Sequence, residues 1–224
     1  MSLFAIDDIL PPPPPGDLAV LHDREYRVRA YRLADDRLLI QGAIRDQKPP
    51  GLYLEDDPDP LTVHHMQLSM EVAFPSLEIV DATVHFETHP NTTCPSIVDH
   101  YGKLVGLSIA RGFTHRVREL FGGPRGCTHT TALLQAMAPV AMQCFWSMKA
   151  ASARDAGKPS PIASGEIEDD DEGWKRIVGT CHVWDPEGEA VTARERGTFP
   201  SVPVFLQRRL DALGREAPAR WQPD

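Results

Sequence analysis

The histidines and cysteines of this chain that stand at the ends of apolar stretches are where it can do chemistry. His64 opens an alternating strand, Val63-His64-His65-Met66-Gln67-Leu68, Cys94 sits at a helix start beside Pro95, and Cys127 and His129 open a second helix. Thiols and imidazoles are the side chains that bind soft metals or move protons near neutral pH. Three such groups at element ends imply one shared site. By period two, His64 falls on the face of Met66, Leu68, Met70, Val72 and Phe74, where a polar ring needs a specific partner. His65, His85 and His89 fall on outward faces and read as surface residues. His129 stands four residues before Leu133 and so begins that helix's apolar stripe. In a first turn the helix dipole disfavours imidazolium, which suits a neutral base or a metal ligand.

Two chemistries fit. In the first, His129 is a general base, His64 its partner or the acid, and Asp46 with Lys48 orients a small-molecule substrate from the end of a strand. Met66, Leu68, Met137 and Tyr101 then line an apolar pocket between sheet and long helix, suited to an aromatic or other hydrophobic organic compound. The chain has no G-x-S-x-G, H-E-x-x-H or G-x-G-x-x-G pattern. Proton transfer without a cofactor is therefore expected, in lyase-type C–C or C–O cleavage before hydrolysis. In the alternative, Cys94, Cys127, His129, His64 and Cys181 supply nitrogen and sulfur ligands to zinc or an iron–sulfur cluster. A non-catalytic ligand-binding module is the third reading, with a proline arm as its contact.

The elements that must position these residues are legible in outline. Residues 1–20 read as an N-terminal arm containing the rod Pro11–Pro15, and 21–149 as the core domain. Glu25–Leu33 and Arg37–Asp46 form a hairpin candidate around Ala34, Asp35 and Asp36, followed by a loop rich in proline and glycine. Two further strands follow, the second burying Ala82, Val84 and Phe86. Three helices come next. The first starts at Pro95 with the stripe Ile97, Tyr101, Leu104, Val105 and Ser108, the second ends at Gly122 and Gly123, and the third spans Thr128 to Lys149 with a kink at Pro139. Residues 150–173 read as an acidic flexible loop, and 174–224 as a hairpin around Pro186-Glu187-Gly188 plus a closing helix that complete the same domain. The fold class is α+β, an antiparallel sheet with helices on one face.

Composition bounds the partners. The chain has 224 residues, 42% of them apolar, enough for one domain with a real core. A net charge of −9 argues against nucleic acid and anionic membranes. No apolar run approaches the ~20 residues of a membrane span, and the acidic start does not suit a signal peptide. Four cysteines do not make a secreted disulfide frame, so a cytoplasmic protein is expected, with further copies of itself as an optional partner.

The residues His64-His65-Met66-Gln67-Leu68, Ile79-Val80-Asp81-Ala82 with Phe86, Cys94, Leu104-Val105-Gly106 and Cys127-Thr128-His129 resemble the motifs of the NifU N-terminal/IscU-type iron–sulfur scaffold fold. The resemblance implies a NifU/SufE-like core. A closer likeness is to an uncharacterised bacterial domain-of-unknown-function family with an I-H-D-M-like strand, a C-P helix start and G-C-T-H at the last helix. It extends through Arg27, Asp46 and Lys48 upstream and Cys181-His182 downstream, and adds Arg27 to the expected substrate-binding residues. The scaffold's aspartate position holds His64 and residues 58–62 contain no cysteine, which places acid–base chemistry ahead of cluster binding.

Overall fold

The computed structural model describes residues 9–110, 112–161, 172–197 and 202–218. Four strands make one antiparallel sheet in sequence order: β1 (Asp23–Ala34), β2 (Arg37–Lys48), β3 (Leu61–Ala73) and β4 (Ile79–Thr88). Alternation of apolar and polar residues sets which face each strand buries. The pairing register then aligns the inward residues in rows across the sheet. Tyr26, Ile44, Met66 and Phe86 form one row; Val28, Gly42, Leu68 and Val84 the next; Ala30, Ile40, Met70 and Ala82 a third. At one end this apolar series stops, and the row there is Arg24, Asp46 and His64.

Helices cover the apolar face of this sheet, giving the expected α+β class. A 3-10 helix, Cys94–Leu104, packs beside β4, and α1 (Phe113–Phe121) leads through a short turn into the long helix α2 (Thr128–Asp155). Leu133, Leu134, Met137, Ala141, Cys144 and Met148 of α2 are buried, and α2 lies against β1, β2 and β3. Its close approach depends on Gly42. A Cβ there would stand 2.6 Å from Met137 Sδ and 3.1 Å from Leu133 Cδ1.

Several expectations are corrected. The first helix is 3-10 rather than α, and its expected stripe stops short: Val105 lies beyond its end, exposed, and Ser108 bridges to Glu78. Helix α2, with Pro139 inside it, extends past Lys149 to Asp155, so residues 150–155 are helical and not loop. Alanine-rich sequence propagates the helix there. The C-terminal hairpin is absent: His182–Trp184 form a 3-10 turn and Glu189–Glu195 an α-helix, α3. The alanine, glutamate and arginine of that segment are helix formers, and their propensity prevails over its short alternation. The closing helix, α4 (Val204–Ala212), is present. Pro11–Pro15 are exposed, and Glu166–Asp171 lie outside the described residues. Among the described residues no helix is long and apolar enough to cross a membrane.

Candidate functional site

Asp46 is the centre of the polar row, with its side chain only 2% exposed. A carboxylate so placed needs compensating charge and hydrogen bonds. Arg24, its direct neighbour on β1, supplies both: Nε donates to Oδ1 at 2.6 Å and Nη2 to Oδ2 at 2.7 Å. This parallel two-point pairing is the strongest geometry available to a carboxylate in a protein. His22 Nε2 lies 3.4 Å from Oδ1 on the same side.

Two imidazoles close the other side. His64, opposite Asp46 on β3, places Nδ1 3.2 Å from Oδ2, while His129, from the first turn of α2, places Nε2 3.1 Å from the same oxygen. The two rings stack with centroids 3.9 Å apart and 28° between their planes. Their side chains are 23% and 16% exposed, so the pair meets solvent while the carboxylate behind it does not.

The charge states follow from this arrangement. Burial pushes the Asp46 carboxyl up, but the hydrogen bonds and charge of Arg24, with His129 and His22, overcome it and hold the group at about 2. Asp46 is therefore ionised and accepts only, so the His129 nitrogen facing it is an N–H donor. Burial, and then the neighbouring His64, lower the His129 pKa below the usual imidazole value. Neutral His129 thus carries its lone pair on Nδ1, which stands 3.9 Å from Cys127 Sγ.

The start of α2 is held by residues remote from the sheet. Tyr101 is buried, and its hydroxyl accepts the Cys127 N–H at 2.8 Å and donates to the Cys127 carbonyl at 3.3 Å. Its ring stacks on Phe121 at 4.8 Å. The hydroxyl of Thr131 donates to the Phe121 carbonyl at 3.1 Å. Gly126 permits the tight turn between α1 and α2, since a Cβ there would meet the Phe121 carbonyl oxygen at 2.4 Å.

Of the residues singled out from sequence, the structure gathers Asp46, His64 and His129 into one cluster and sets Cys127 beside it. Others lie elsewhere. Met66, Leu68 and Met137 are fully buried among core residues, so the expected apolar pocket between sheet and helix is filled. Tyr101 is buried with its hydroxyl engaged at Cys127 and buttresses the helix start instead of facing a substrate. Arg27 pairs with Ala43 on the opposite sheet face and forms an ion pair with Glu25. Lys48 lies over the Tyr53 ring at 5.2 Å. The expected sulfur-rich ligand set does not assemble. Cys181 is exposed, Cys94 packs against the core, and the one three-residue group of ligating atoms among the described residues is Asp46, His64 and His129, all within 4.8 Å. Sequence reasoning missed Arg24 and His22. The period-two pattern that placed His64 would have found Arg24, had the register of β1 on β2 been known.

No curated protein and no solved structure matches the chain. A family model does, over residues 22–143, a span that starts at His22 and takes in every group around Asp46. That span is more than half of the sequence, and the chain belongs to the family described as Protein of unknown function (DUF2889).

Proposed function

We propose that this protein is a small-molecule enzyme whose proton transfers occur at the Asp46–His64–His129 cluster. The observation that carries the reading is the convergence of two partly exposed imidazoles on one oxygen of a buried, ionised carboxylate. Such a carboxylate fixes ring orientation and tautomer, and it stabilises the imidazolium formed when the ring takes a proton. His129, kept neutral by burial, is the base at Nδ1, and His64 returns the proton as the acid. A lyase-type cleavage of a C–C or C–O bond uses this pair in sequence, one proton removed and one delivered.

The filled core removes the basis for a hydrophobic pocket at Met66 and Met137, and the residues beside the cluster suggest a different substrate class. Arg24 and His22 are 39% and 38% exposed and present nitrogen donors next to the histidines. An organic acid suits these neighbours, its carboxylate accepting hydrogen bonds from their nitrogens. The likeness to the iron–sulfur scaffold fold is supported by element order from β3 to α2, but the cluster offers two nitrogens and one oxygen where a cluster scaffold requires thiolates.

The reading is tested by screening small organic acids for turnover and assaying His129→Ala on the first one converted. Loss of a general base lowers the rate by about 10²–10⁴-fold. Near-wild-type kcat in a folded His129→Ala protein sinks the proposal.

A further inference from the structure

The hydrogen-bonding arithmetic at Asp46 does not close. Oδ2 already accepts Arg24 Nη2, which leaves one lone pair on that oxygen for two imidazole nitrogens, at 3.1 and 3.2 Å. His129 takes it. Nδ1 of His64 is buried, misaligned with the carboxylate and without any hydrogen-bond partner. A buried polar atom left in this state is costly, and each such case in a folded protein calls for a cause.

A cation supplies that cause. If the two nitrogens facing Oδ2 carry lone pairs instead of protons, three donors of electron density point at one place. Ligands about 2.0–2.2 Å from a common zinc ion stand roughly 3 to 3.5 Å from one another. Oδ2 lies 3.1 and 3.2 Å from the two nitrogens, and a ligating atom from each of the three residues lies within 4.8 Å of the other two. We propose that Asp46 Oδ2, His64 Nδ1 and His129 Nε2 bind one divalent first-row transition-metal ion of the zinc class. Two imidazoles and a carboxylate suit zinc, cobalt, nickel or ferrous iron and not calcium or magnesium, which prefer all-oxygen sites. Three protein ligands leave at least one position open for water or substrate.

The surroundings support the three ligands. Arg24 grips both oxygens of Asp46 and fixes their orientation. Tyr101 fixes Cys127, two residues before His129. Groups one layer out that orient ligands in this way contribute about 10–100-fold to metal affinity at other sites. The inference rests on the cluster being the reacting centre and names its cofactor, which would polarise a substrate oxygen or acidify a coordinated water.

The test uses the full chain stripped with a chelator, dialysed and titrated with Zn²⁺ or Co²⁺ alone, by calorimetry and by the visible spectrum of cobalt. One equivalent binds per chain, and His64→Gln, His129→Gln and Asp46→Asn each weaken binding by more than about tenfold. His85→Ala and His115→Ala, which remove surface histidines paired with Glu87 and Glu119, leave it unchanged. Circular dichroism confirms that each variant is folded, and if one is not, the remaining two carry the comparison. No uptake by the wild type, or equal uptake by all folded ligand variants, overturns the metal site. Failure there is separable from failure of the enzyme reading: turnover by stripped protein at the loaded rate discards the metal and keeps the imidazole pair.

Discussion

His64 and His129, one on a strand and the other on a helix, stack at 3.9 Å because both turn a ring nitrogen to the same oxygen of Asp46. The geometry is set by two constraints of different kind. The sheet register puts Asp46 between Arg24 and His64, and the docking of α2 over Gly42 brings His129 down onto them. Each constraint can be disturbed separately.

The electrostatic part is read at acid pH. Against the upward push of burial, Asp46 has its carboxyl held at about 2, below the ordinary aspartate value of 3.8, by the hydrogen bonds and charge of Arg24. A group whose folded pKa is depressed stabilises the protein fully above the unfolded value and loses that contribution as pH falls through the folded one. The shift corresponds to about 2 kcal/mol. Asp46→Asn is therefore expected to unfold more easily than wild type by about 2 kcal/mol at pH 7, with the gap closing between pH 4 and pH 2. Urea unfolding at a series of pH values measures it. A gap of the same size at pH 2 as at pH 7 would mean that Asp46 acts through packing and not through its charge.

The packing part is read at Gly42. A Cβ at this position meets Met137 Sδ at 2.6 Å and Cγ at 2.9 Å. Overpacking of this kind costs about 1–3 kcal/mol. Gly42→Val should destabilise the protein by that amount, and Met137→Ala should destabilise it by about 2–5 kcal/mol through the cavity left behind. Combined, the added methyl groups occupy the space the methionine vacates, so the double variant is expected to be more stable than the sum of the two losses allows. Strict additivity in thermal unfolding would show that α2 does not rest on Gly42.

How much of this was legible in the sequence follows from the same two constraints. Period-two alternation shows the four strands and puts His64 on the buried face, and helical spacing back from Leu133 puts His129 on the apolar stripe. Both signals are local. Which arginine faces Asp46 is not local. It depends on the irregular pairing between Arg32 and Ala34 next to the β1–β2 turn, and the arginine opposite Asp46 is Arg24, not Arg27. Lys48 shares the parity of Asp46, yet its ammonium lies over the Tyr53 ring in the loop that follows β2. Whether Met66 and Met137 line a pocket or fill a core depends on how closely helix and sheet approach, which a single glycine decides. The polar centre was therefore readable from pattern, and its charged partners and the absence of a cavity beneath it were not.

The central claim is that the two histidines form a ligand-contacting chemical centre and not a polar plug at the end of the core. It is tested most directly by thermal shift, with wild type and the double variant His64→Gln/His129→Gln measured against one panel of small organic acids. Compounds that raise the unfolding temperature of the wild type are predicted to shift the double variant much less, since the contacts at the imidazole pair are lost and only those at Arg24 and His22 remain. If every stabilising compound shifts both proteins equally, the ligand binds elsewhere and the cluster is structural.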